Sequence, residues 1–150
     1  MAFTIRIQQV DFNVQEEVDF LRKQSANIGA IATFTGLVRD SQDGQTLKAL
    51  FLEHYPGMTE KSLENILLEA QRRWPLQDVT VLHRIGELKA GDQIVFVGVS
   101  SSHRGAAFAA CEFIMDFLKT RAPFWKKCRL ANSEHWVEAK DSDQQASERW

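Results

Sequence analysis

The chain has little of what marks the specialised protein classes. Its 150 residues include two cysteines, three prolines and one tyrosine. Cys111 and Cys128 form no CxxC pair, so nothing asks for an oxidising compartment, and both are expected as free thiols. No apolar run approaches the length of a membrane span. The first residues, Met1 to Ile7, lack the basic-then-apolar order of a signal peptide, and the cytoplasm is the expected compartment. Excess positive charge is missing too. A net charge of −2 and a pI near 6.1 argue against general nucleic-acid binding. The histidines at 54, 83, 103 and 135 show no metal-ligand spacing with each other or with the cysteines, so no metal site is expected. Neither GxGxxG nor a Walker A sequence occurs, and no cofactor is implied.

What is present reads as one domain over residues 1–150, with an ordinary 44% hydrophobic content. Phe3 to Val10 alternates as a first strand, and Val14 to Gln24 reads as a short amphipathic helix. Ile28 to Val38 is a β-rich run, followed by a loop at Asp40 to Gly44 and a strand from Thr46 to Tyr55. Leu63, Ile66, Leu67 and Ala70 supply the stripe of a long helix from Thr59 to Trp74, ended by Pro75. Val79 to Ile85 and Gln93 to Ser100 read as strands joined around Ala90-Gly91-Asp92. The second is apolar on both faces, which places it centrally in a sheet. After Ser100-Ser101-Ser102 an apolar helix runs to about Arg121, with Glu112, Asp116 and Lys119 as its narrow polar stripe. Strands around Phe124 to Leu130 and His135 to Glu138 precede a polar tail. About seven strands and three main helices give an α+β domain.

Charge is distributed unevenly along this chain. Lys119 to Arg129 carries five basic side chains and no acidic one, within a protein that is net acidic. Pro123 stops the helix and Phe124-Trp125 starts a strand, so the cations gather at a helix-to-strand corner. Such a corner is either a solvated basic edge or an anion site. Lys119 has two readings of its own. It forms a surface ion pair with Asp116, or its pKa is lowered by Lys126 and Arg121 so that it serves as proton donor or nucleophile. Strand alternation puts Lys126 and Cys128 on one face, with Trp125 and Lys127 on the other.

Ser100-Ser101-Ser102-His103-Arg104 lies between a buried strand and a helix start. One serine is expected to cap the helix. The helix N-terminus, His103 and Arg104 together offer donors to an anion. A Ser-His nucleophilic pair is not expected, because adjacent residues lack attacking geometry and no orienting acid is evident.

Several blocks in series then resemble one family. They are Thr33 to Arg39 (Thr-Phe-Thr-Gly-Leu-Val-Arg), Leu52 to Met58 (Leu-Glu-His-Tyr-Pro-Gly-Met), His83 to Gly86 (His-Arg-Ile-Gly), Phe113 to Lys126, and Trp136 to Ala139 with Asp141 to Gln145. Together they resemble the catalytic (large) subunit of molybdopterin synthase over nearly the full chain. The resemblance implies an α/β-hammerhead-like fold with an antiparallel or mixed sheet. It also implies a homodimer, each copy binding a small ubiquitin-like sulfur-carrier subunit to give a heterotetramer. The implied sulfurtransferase reaction moves two sulfurs from the carrier's C-terminal Gly-Gly thiocarboxylate to cyclic pyranopterin monophosphate, a step of molybdenum cofactor biosynthesis. By the same resemblance Lys119 and Lys126 are catalytic, and Leu37, Val38, Arg39, His103, Arg104, Lys119, Lys126, Lys127 and Cys128 bind substrate.

Three positions depart from the family pattern. Leu37 stands where lysine is usual, Cys128 stands where an acidic residue is common, and Lys140 replaces an arginine, losing bidentate phosphate geometry. His103 and Lys119 are 16 residues apart on one expected helix, about 24 Å at 1.5 Å per residue. A single substrate touching both requires two copies of the chain. Two other function classes compete: a non-catalytic module that binds or regulates a ubiquitin-like carrier, and a free-standing phosphate-binding enzyme. Retention of both lysines favours the sulfurtransferase, since a binding module needs neither.

Overall fold

The computed structural model describes residues 2–42, 44–131, 133–137 and 141–150. Element order is β1 (Ala2–Gln8), α1 (Val14–Arg22), β2 (Ala30–Leu37), β3 (Ser41–Gln42), β4 (Gln45–His54), α2 (Met58–Arg73), β5 (Asp78–Arg84), β6 (Gly86–Leu88), β7 (Gln93–Ser101), α3 (Arg104–Thr120), β8 (Phe124–Leu130), β9 (Glu134–Val137) and α4 (Asp141–Glu148). Asp43 of the expected loop, Glu138 at the end of the expected last strand, and Lys140 lie outside the described residues.

Two sheets divide the work. The first has order β1-β5-β7-β2, with β1 parallel to β5 and the other pairs antiparallel. β7 is central, as its two-faced apolar run requires. Val79 and Val81 of β5, with Val95, Val97 and Val99 of β7, pack against Leu63, Ile66 and Leu67 of α2 and Phe113 and Ile114 of α3. The opposite face carries Leu82 and Phe96, covered by Phe12 and by Val14 and Val18 of α1. Gly98 allows α1 to seat closely, because a Cβ there would lie 2.6 Å from Leu21 Cδ1 and 2.9 Å from the Phe96 ring.

The second sheet is organised around β4. Strand β8 lies on one side of it with β9 beyond, and β3 and β6 share its other side. Its small core consists of Val38, Leu47, Leu50, Leu52, Leu88, Cys128 and Leu130.

The mixed α+β class is as expected, with differences in detail. There are four helices rather than three among the described residues, and nine strands rather than seven. The short β3 and β6 are too brief to register as periodicity. The expected polar tail contains α4, whose sequence has no apolar stripe. Two side chains beyond its C-terminal end anchor the helix. Arg149 pairs with Glu112 and, at 2.9 Å, with Asp116; the Trp150 ring packs edge-on against Trp74 and Phe113.

No serine caps α3. Its N-cap is His103, without a side-chain cap bond. The serines instead tie the end of β7 to its surroundings: Ser100 Oγ accepts from the Asp78 amide at 3.0 Å, and Ser101 Oγ donates to the Pro75 carbonyl at 2.7 Å. Both are buried, so their hydroxyls go to strand and loop backbone.

Candidate active site

Lys119 sits in the last turn of α3 and Lys126 near the start of β8, on either side of a tight corner. Arg121 closes the helix through its amide to Phe117 O at 2.7 Å, and the Phe124 amide reaches back to Ala122 O at 2.9 Å. Pro123 has no amide to extend the helix, and its carbonyl accepts from Thr59 Oγ1 at 2.9 Å. That hydroxyl, fully buried, itself accepts from the Tyr55 amide at 2.9 Å. The corner is therefore fastened to the start of α2 and the end of β4.

Lys119 is exposed and makes no ion pair among the described residues. Of its two readings, the ion pair with Asp116 does not form, because Arg149 and the Trp150 indole, at 2.5 Å from Nε1, occupy that carboxylate. Arg121 lays its guanidinium over the Phe117 ring at 3.9 Å. Beneath the corner the His83 and Phe124 rings stack, with centroids 3.8 Å apart and planes at 14°. His83 is 5% exposed, and burial pushes its pKa down to about 4, helped by the nearby charges of Lys119 and His54.

Alternation in β8 holds as expected. Lys126 pairs in register with Leu52 and Val137. Two residues on, Cys128 is 1% exposed and belongs to the second core, so it lies under that face rather than lining an open site. Lys127 faces the other way, its ammonium 5.5 Å from the Phe51 ring centroid, 5.4 Å from that of Trp136 and 3.9 Å from Glu134. One face of the strand does not bring Lys126 and Lys127 together.

Leu37 ends β2 at a bulge and is 55% exposed. Val38 is buried and exchanges hydrogen bonds with the turn before β7, its amide to Asp92 O and its carbonyl from the Gly91 amide, both 2.8 Å. Arg39 emerges from this anchored point, exposed. His103 and Arg104 are exposed at the opposite end of α3 from Lys119. The unbroken helix keeps them about 24 Å apart within one chain. Neither lysine lines the clefts of about 520 Å3 beside α1 and about 690 Å3 between α2, α3 and α4, although Arg121 lines the second. Among the described residues, no three His, Cys, Asp or Glu side chains form a group able to hold a metal ion. No helix there is long and apolar enough to cross a membrane.

Sequence reasoning weighed His83 as a metal ligand and placed it in a family block, and it gave Thr59 and Phe124 only as the starts of elements. Their roles depend on contacts between β5, α2 and the corner, which spacing along the chain does not encode. The one available signal was a histidine on the buried face of a strand, in line with Val79 and Val81.

The MoaE protein family model matches residues 7–121, which include Lys119 but not Lys126. The molybdopterin synthase catalytic subunit of Vibrio cholerae serotype O1 is 57% identical over 150 residues, covering 100% of this chain and 99% of that protein. A solved structure of the molybdopterin biosynthesis MoaE protein from Burkholderia ambifaria MC40-6 superposes with a TM-score of 0.86 at 54% identity, over 99% of this chain and 98% of that one. A chain from the complex of subunits 1 and 2 of the molybdopterin-converting factor of Helicobacter pylori 26695 shares the fold, with a TM-score of 0.75 at 20% identity over 91% of each chain. The chain belongs to the MoaE family, that of the molybdopterin synthase catalytic subunits.

Proposed function

We propose that this chain is the catalytic subunit of a molybdopterin synthase. It acts as a cytoplasmic sulfurtransferase, one domain over residues 1–150, moving two sulfurs from the thiocarboxylated C-terminus of a small ubiquitin-like carrier to cyclic pyranopterin monophosphate. The observation that carries this reading is the pair Lys119 and Lys126, held on either side of one fastened corner in a chain of this family. Sulfur attack opens the cyclic phosphate and leaves negative charge on oxygen, which an ammonium stabilises or protonates. The carrier brings the nucleophile, so this chain needs neither a catalytic thiol nor a metal. That is compatible with a buried Cys128 and with Cys111, whose pKa burial raises to about 11.

The working unit in this proposal is a homodimer within a heterotetramer, with a shared site. Arg39, Lys119 and Lys126 come from one copy, and His103 and Arg104, as phosphate ligands, from the other. The length of α3 supports the division. Of the family's other contact positions, Leu37, Val38, Lys127 and Cys128 act in this reading through backbone or as supports. Val38 and Cys128 are buried, and Lys127 is engaged on the far face of β8.

The test is to mix the purified chain with thiocarboxylated carrier and cyclic pyranopterin monophosphate and assay the dithiolene product. Product formation that needs all three components is expected. Carrier binding without product, with intact substrate, would establish the non-catalytic carrier-binding module instead.

A further inference from the structure

The main core of the first sheet ends in a polar residue. Along β5, Val79, Val81 and His83 alternate onto the side covered by α2 and α3. The two valines meet apolar side chains. His83, one step further, lies beneath the corner where α3 gives way to β8.

Its surroundings leave the imidazole few options. Nδ1 lies 2.8 Å from the Arg84 carbonyl, which only accepts, so Nδ1 carries the proton and Nε2 the lone pair. The register partners on the two neighbouring strands are Ile7 of β1 and Val95 of β7, neither of them polar. The charged and titratable groups facing the ring are Lys119 from α3 and His54 from β4. His54 is itself 3.8 Å from Glu60 Oε1 of α2. No carboxylate contacts His83 among the described residues, and a cation there would face the Lys119 ammonium.

The flat side of the ring is occupied by Phe124, at 3.8 Å and 14°. Phe124 is the first residue of β8 and pairs in register with His54. Lys119 lies five positions before it and Lys126 two after, so its placement sets the course of the chain between the two lysines. Thr59 fastens the preceding carbonyl and His83 fastens the ring. Backbone bonds and the β4–β8 ladder hold the chain here, and the stack with His83 is what holds the Phe124 ring.

We propose that His83 is a positioning residue for Lys119, an uncharged flat ring that fixes Phe124 by stacking and so holds the end of α3 in the geometry sulfur transfer uses. It touches neither substrate nor carrier and acts only through the corner. This deepens the sulfurtransferase reading and rests on it for the catalytic consequence. The mechanical part, from ring to corner to lysine, stands without it.

Two variants of similar volume separate a flat ring from simple space filling. His83→Phe keeps a stacking ring, and His83→Leu fills the space without one. Two readouts are taken on folded protein: kcat and the KM for carrier in the complete synthase assay, and the rate at which an amine-acylating reagent labels Lys119, followed by peptide mass spectrometry. Expected for His83→Leu is a fall in kcat of about tenfold or more at unchanged carrier KM, with an altered labelling rate at Lys119. His83→Phe is expected to stay near wild type in both. Equal behaviour of the two variants, whether both intact or both impaired, overturns the proposal. The labelling result stands even if no synthase activity is found. Wild-type protein that labels normally yet makes no product condemns the functional reading alone, while a Lys119 labelling rate identical in all three proteins condemns the positioning role alone.

Discussion

The Thr59 hydroxyl reaches across 64 residues to donate to the Pro123 carbonyl while accepting from the Tyr55 amide, each at 2.9 Å. The hydroxyl is buried, and both bonds are partly so. Thr59→Val keeps the shape and removes both bonds. It is expected to cost about 1–3 kcal/mol, the usual penalty for stranding buried polar groups, and to lower turnover as the corner loosens. Denaturant titration measures the first and a steady-state assay the second. An unchanged midpoint would mean that water or a neighbour replaces the hydroxyl without loss.

Lys119 is exposed and unpaired among the described residues, so Lys119→Ala should leave stability within about 0.5 kcal/mol while lowering turnover by about 10²-fold or more. Lys126→Ala is expected to act in the same direction, less strongly. Carrier binding, followed by calorimetry, should be nearly unchanged in both. Turnover at wild-type level in both variants would return the cluster to the role of a solvated basic edge.

The proposed shared site makes a dimer-level prediction. A His103→Ala/Arg104→Ala double variant and a Lys119→Ala variant should each be inactive. When subunits exchange freely, half the dimers are mixed, and each mixed dimer carries one intact and one doubly defective site. Activity should then recover to about a quarter of wild type. Native mass spectrometry confirms exchange. Mixed dimers without activity would show that each chain builds its site alone.

His83 also gives a pH dependence with a definite sign. Its pKa falls from the ordinary 6.5 to about 4 in the fold, so between those values the unfolded chain binds more protons than the folded one. Stability is therefore full above pH 6.5 and declines as pH falls towards 4, by up to about 3 kcal/mol from this group. His83→Phe lacks the titration, so the difference in unfolding free energy between the two proteins should change across that window and stay flat above it. Parallel curves from pH 8 to 4 would mean that the imidazole protonates as easily folded as unfolded.

Much of the scaffold was readable from periodicity and punctuation. The two-faced run of Ile94 to Val99 located the central strand, Pro75 and Pro123 marked helix ends, and the stripe Leu63-Ile66-Leu67-Ala70 gave α2 its buried side. Local signals failed where distant groups decide. The serines before α3 look like caps, yet the Pro75 carbonyl and the Asp78 amide claim two of them. Asp116 looks like a partner for Lys119 until Arg149 and Trp150, more than thirty positions away, take it. The polar run Asp141 to Glu148 carries no apolar period, so its helix was invisible in advance. At the candidate site Lys119 and His103-Arg104 were legible as charges at helix ends, and Lys126 as part of a basic cluster at a helix-to-strand corner. Thr59, His83 and Phe124, which shape the ground beneath Lys119, matter through tertiary contact.

Strand β8 gives Lys126 and Lys127 separate environments. The two-residue repeat puts Lys126 on the face of Cys128 and sends the next ammonium, a single peptide bond later, into a bracket of Phe51, Trp136 and Glu134 on the reverse of the sheet. The sheet thus works as a partition, keeping the setting of Lys126 separate from the surface contacts of Lys127. Substitutions at Phe51, Lys127 or Trp136 can retune what the reverse face meets while Lys126 keeps its setting. A change at Lys126 has no such shelter, because it shares its side of the strand with the buried Cys128 and the small core of the second sheet.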